Sequence, residues 1–78
     1  MPTFLDSHTM GNMEEEALKQ AQNSPTDEFG ITHKNILFNK VQNKIFCVLD
    51  APNKEAVDKH HQKFGIKCDW IMEVQSTA

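Results

Sequence analysis

Apolar and polar residues alternate through TFLDSH, residues 3–8, ahead of a Gly11-Asn12 break, and this period of two predicts a first strand. A helical pattern follows in NMEEEALKQAQ. It opens on Asn12 as a cap, places glutamates in the first turn, and aligns Met13, Ala17, Leu18 and Ala21 along one stripe. Pro25 breaks or kinks this helix, and TDEFG reads as a last turn that Gly30 stops. ITHKNILFNK (31–40) and KIFCVLD (44–50) form two further strands around VQN. Asn43 there tolerates the left-handed backbone that a hairpin needs. APNKEAVDKHHQKFG predicts a second helix, with Pro52 just outside, Asn53 as cap, Glu55 in the first turn and Gly65 as stop. CDWIMEV (68–74) is the closing strand.

Strand, helix, strand, strand, helix, strand is the ferredoxin-like βαββαβ pattern, an α+β fold, and it fills residues 1–78 as one domain. Its usual form is a four-stranded antiparallel sheet of order 4-1-3-2 with both helices on one face. The opposite face then lies bare, and the expected remedy is a homodimer packed sheet to sheet across a pocket. The first strand offers two faces, Thr3-Leu5-Ser7 and Phe4-Asp6-His8. The second carries a carboxylate and an imidazole and is assigned to the open, pocket side. In the third strand, Ile45-Cys47-Leu49 and Phe46-Val48-Asp50 are both plausible inward sets.

This topology gathers chemistry at one edge. The first strand ends at His8. The second helix climbs back over a rise of roughly 18 Å, against a strand span of roughly 20 Å. His60 and His61 therefore arrive beside His8, and Cys68 and Asp69 start the descending strand there, with Cys47 a short way down strand 3. Imidazole, thiolate and carboxylate together are ligands for a divalent transition metal. Each residue also has a plainer reading. Adjacent helix residues point about 100° apart, so one of His60 and His61 belongs to the half-buried stripe and the other to solvent. Cys47 and Cys68 suit packing. His33, at the opposite end, and the Glu14-Glu15-Glu16 run read as solvated surface. A Cys47–Cys68 disulfide is excluded by two strand spacings, about 9.6 Å, against a limit of ~7 Å.

Composition removes several function classes. The net charge is −3, and the eight basic residues are scattered lysines without an arginine, so no nucleic-acid stripe exists. The three isolated glycines make no phosphate loop. No apolar run reaches the roughly 20 residues of a membrane span, and MPTFLDSH lacks the features of a signal peptide. A cytoplasmic protein with reduced thiols is expected. A chain of this length buries only about 60% of its unfolded surface and needs a partner or a metal.

MPTFLDSH, FCVLDAP, the helix EAV…H ending near Gly65, and the closing IMEV together resemble a family of small ferredoxin-like proteins described as nickel-binding or nickel-responsive. The resemblance runs from Met1 to Val74, and Phe46–Pro52 is its most distinctive piece. It implies a dimer that binds a divalent metal, nickel by the family's description, without an assigned reaction; the residue types at the edge suit nickel or zinc. As ligands it favours His8, Cys47 and His61 over His60 and Cys68. The chain departs from the family pattern at Lys19 and Phe64, where relatives carry further histidines, near Gly65, which is about one residue short, and at Pro25. Three functions are compatible with these residues. The first is a metal-binding or metal-responsive dimer using His8, Cys47 and His61, with Asp6 supporting His8 and with His60, Cys68 and Asp69 as further candidates. The second is a dimeric α/β barrel holding a small apolar ligand between Phe4, Phe38, Phe46 and Trp70, as in monooxygenases and isomerases, with His8 as base. The third is an interaction module without a site.

Overall fold

The computed structural model describes residues 1–78. Its elements are β1 (Thr3–Thr9), α1 (Glu15–Gln22), β2 (Thr32–Asn39), β3 (Lys44–Asp50), α2 (Lys54–Lys63) and β4 (Trp70–Val74). The strands form one antiparallel sheet of order β2-β3-β1-β4, the ferredoxin-like arrangement that the element order implies.

Local chemistry explains most boundaries. Asn43 takes φ 56° and closes the β2–β3 hairpin. The Asn53 side chain accepts from the Ala56 amide at 2.8 Å and starts α2. The first helix is shorter than its pattern predicts. It begins at Glu15 behind Glu14, which makes no side-chain cap, and Asn12 lies outside it. The TDEFG segment is not a helical turn. Asp27 Oδ1 accepts from the amides of Phe29 and Ile31, each at 2.9 Å, so the carboxylate organises the loop in place of a helix ladder.

Register separates the two faces. Asp6 lies opposite Cys47 and Ile71, His8 opposite Ile45, and Phe4 opposite Leu49, so these side chains share a face. Their burial shows that it is the helix-covered one: Phe4, Asp6, His8, Ile45, Cys47 and Leu49 are all buried, and Ile31 from the loop and Val57 from α2 complete the fully buried centre. This corrects the expectation for β1, whose Phe4-Asp6-His8 side faces the helices and not the open sheet. It also settles β3, where Ile45-Cys47-Leu49 points inward. Phe38 pairs with Ile45 and Phe4 with Leu49, so two of the four aromatic residues expected to wall an open-face pocket lie on the other side. The open face presents Leu5, Leu37, Phe46, Val48, Trp70 and Met72, of which Leu37, Trp70 and Met72 are 51%, 41% and 54% exposed.

The helices do not close over the sheet completely. α1 leans on β2 and α2 on β4. A cavity of about 470 Å³ remains among α1, α2 and the covered face. No helix is long and apolar enough to cross a membrane.

Candidate metal centre

Asp6 and His8 project from the same side of β1 because they are two residues apart in a strand. Cys47 is the direct cross-strand partner of Asp6. His61 descends from α2, one turn after Val57, whose side chain is anchored in the core. One potential ligand atom from each of these four residues lies within 4.8 Å of all the others. All four residues are buried.

The ring nitrogens are already sorted. His8 Nδ1 donates to the Thr9 carbonyl at 3.1 Å, and His61 Nδ1 donates to the Val57 carbonyl at 2.8 Å. Each ring therefore keeps its proton on Nδ1 and turns the Nε2 lone pair inward, as metal-ligating histidines do. His8 Nε2 lies 3.8 Å from Cys47 Sγ and 3.9 Å from Asp6 Oδ1, and His61 Nε2 lies 3.5 Å from the same oxygen. Metal–ligand bonds of 2.0–2.3 Å set tetrahedral edges of roughly 3.3–3.8 Å. The three separations are close to that range.

The site has an electrostatic deficit. Neither carboxylate oxygen of Asp6 has a hydrogen-bond partner, although the residue is fully buried. Burial lifts its carboxyl to about 7, an effect that the nearby Cys47 thiol tempers. Burial, followed by the charge of Asp6, pushes the Cys47 thiol well above its usual range. Burial holds His61 down to about 4 and also lowers His8. At neutral pH both imidazoles are thus uncharged and able to ligate. A dication would be balanced by two ligands that ionise on binding, Asp6 and Cys47. It would also supply the partner that the Asp6 oxygens lack, so the residues fit a divalent metal.

The structure places the other candidates elsewhere. His60 turns away from the quartet, and its Nδ1 is hydrogen-bonded to Asp27 Oδ2. Asp69 sits at the surface, bonded to Lys44 Nζ at 2.6 Å and to Ser7 Oγ at 3.3 Å. Cys68 is a free, half-buried thiol outside the quartet. Asp6, expected to support His8 from behind, instead offers an oxygen within the ligand set. His33 is not at a remote edge. It lines the cavity, with its ring centroid 5.3 Å from that of His60. The shared face of Phe4, Asp6 and His8 was the available signal for Asp6. For His33 no local signal existed, because its neighbour comes from the other end of the chain.

A family model described as nickel responsive protein, SCO4226-like, matches residues 4–74. The crystal structure of SCO4226 from Streptomyces coelicolor A3(2) superposes with a TM-score of 0.78 at 26% identity. The match covers 97% of this chain and 99% of the other. No curated protein matches the chain.

Proposed function

This chain belongs to the nickel-responsive SCO4226-like family, and we propose that it is a small cytoplasmic protein that binds one divalent transition metal ion per chain through Asp6, His8, Cys47 and His61. The observation that carries this reading is the buried Asp6 carboxyl without a partner, facing two imidazole lone pairs and a thiol. An apolar interior does not retain such a group for stability, since each unsatisfied buried polar atom costs about 1–3 kcal/mol. The ligand spacing suits a tetrahedral ion such as zinc, and the family's name supplies nickel. Loading ties β1, β3 and α2 to one ion, and this linkage is how the fold would respond to metal. The test is titration of reduced, metal-free protein with Ni²⁺, Zn²⁺ and Co²⁺, followed by calorimetry and by the thiolate-to-metal charge-transfer band. Binding of one ion with a band that Cys47→Ser removes is expected. Absence of binding at micromolar metal, or full binding by Asp6→Ala, would overturn the proposal.

The open sheet face supports a homodimer. Leu37, Trp70 and Met72 are exposed together beside Leu5, Phe46 and Val48, and a second copy of the same face would cover them.

A further inference from the structure

All four histidines of this chain stand in one row. Successive ring centroids are 5.1 Å apart from His8 to His61, 5.2 Å from His61 to His60, and 5.3 Å from His60 to His33. Exposure rises along it: His8 and His61 are 2% and 3% exposed, His60 is 9% exposed, and His33 is only half-buried. All four rings line the same cavity between the helices and the sheet. The quartet explains the inner two. It gives no role to His60 and His33.

We propose that His60 and His33 form an outer, weak cation station that hands a divalent metal through the cavity to the buried quartet. The inference rests on the metal-binding reading of that quartet and adds a route to it. The physical problem is access. A hydrated dication entering this cavity passes a wall that is largely apolar, Ala21, Ile36, Ile45 and Ile66 included, with Asp27 already engaged by His60; water shed there needs replacement, and an unpaired buried charge costs several kcal/mol. The imidazole row supplies replacements along the way. One ion can bridge two nitrogens about 4 Å apart, twice the metal–nitrogen bond length, and ring centroids near 5 Å are compatible with that separation.

The outer pair has the chemistry of an exchange station. His60 Nδ1 is engaged by Asp27, so its remaining lone pair is on Nε2, the same sorting seen in His8 and His61. His33 has no ring hydrogen bond to any residue. Two imidazoles without an anionic first ligand hold a dication weakly, and a site on a transfer route needs that weakness. Asp27 has a dual position. Its Oδ1 organises the loop before β2 and its Oδ2 fixes the His60 ring, so the station is pinned to the same loop that borders the cavity.

Stopped-flow uptake of Co²⁺ by reduced, metal-free protein tests the route, with the charge-transfer band of Cys47 as the signal and equilibrium titration run in parallel. His33→Phe and His60→Phe, alone and together, keep a ring of similar size while removing the ligating nitrogens. The double variant is expected to load and release metal about tenfold more slowly, with an equilibrium affinity within a factor of about three of wild type. The single His33→Phe change, at a half-buried position, is expected to give a smaller slowing and guards against a folding defect in the double variant. Wild-type rates in the variants overturn the route while leaving the quartet intact. A loss of affinity equal to the loss of rate also overturns it, because the pair would then be part of the final site or its scaffold. A wild-type chain that takes up no metal at equilibrium removes the quartet reading itself, and the route with it.

Discussion

The two faces of this sheet depart from the usual distribution of polarity in opposite ways, the covered one by holding a polar cluster within its apolar core. The covered face places Asp6, His8 and Cys47 against His60 and His61, all buried, while the open face leaves Leu37, Trp70 and Met72 in solvent. A chain of 78 residues has little core to spare. Each face is incomplete alone, and in a different way. The covered face lacks positive charge among hydrogen-bond acceptors, and the open face lacks apolar contact. Charge complementarity answers the first and a second apolar surface answers the second, so substitutions on one face should leave the other's behaviour unchanged.

The largest effect is expected from Asp6→Asn. Metal affinity should fall by roughly a thousandfold, since one of two anionic ligands is lost. The metal-free variant should nevertheless be more stable than wild type at pH 8, by roughly 1–3 kcal/mol. The sign follows from the carboxyl. Its folded pKa of about 7 lies above the ordinary 3.8, so its contribution is fully present below pH 4 and is lost as pH rises to 7. His61 behaves oppositely. Held down to about 4 from 6.5, it contributes stability above pH 6.5 that is lost as pH falls toward 4. In wild type the Asp6 slope offsets that of His61 between pH 4 and 6.5, and the lowered His8 and His33 leave a shallow net rise with pH. In Asp6→Asn the rise with pH should be clearly steeper. Urea unfolding across this range checks both statements, and a variant curve parallel to wild type would break the link between the site and its cost.

The open face should respond in the other measurement. Trp70→Asp or Met72→Lys is expected to shift the protein from dimer to monomer in sedimentation, with metal affinity within about twofold of wild type, because both side chains point away from Asp6 and Cys47. A monomeric wild-type protein would break this half of the comparison.

A scaffold change gives a smaller effect. Asn53→Ala removes the bond to the Ala56 amide and should cost about 1 kcal/mol, a Tm decrease of roughly 4–8 °C. The cap is present with or without metal, so affinity should stay within about twofold. An affinity loss as large as the stability loss would show that α2 is ordered by the metal.

Element order and topology were legible because they rest on local signals: period two in the strands, Asn43 at the hairpin and Asn53 at the helix start. The family resemblance pointed to His8, Cys47 and His61, and the fold brings these three together. What was not legible followed from long-range choices. In the sequence the polar pair Asp6 and His8 points its face of β1 to the open, pocket side, and only a site buried under the helices reverses that reading. Asn12 looks like a cap and lengthens α1 in the sequence, whereas the chain at Met10–Met13 forms a separate turn, with the Met13 amide bonded to the Met10 carbonyl at 3.1 Å. His33 reads as surface in the sequence, because its place beside His60 depends on the Asp27 loop, which carries no periodic pattern.

The finest distinction between the faces is a fraction of a proton. If the covered face takes a dication and balances it with Asp6 and Cys47, binding must expel the protons those groups hold. Cys47 is a full thiol throughout the accessible range, and Asp6, at about 7, is half protonated at neutral pH. His8 and His61 are neutral there and release none. Calorimetry in buffers of different ionisation enthalpy should therefore count about 1.5 protons released per ion at pH 7 and about 1 at pH 9. Affinity should increase with pH up to about 7 and more gently above it, where only the thiol proton still opposes binding. A constant release of about one proton across this range would mean that Asp6 is already ionised in the empty site. The buried carboxylate would then need a partner other than the metal, and the contrast between an uncompensated interior and an apolar exterior would not hold.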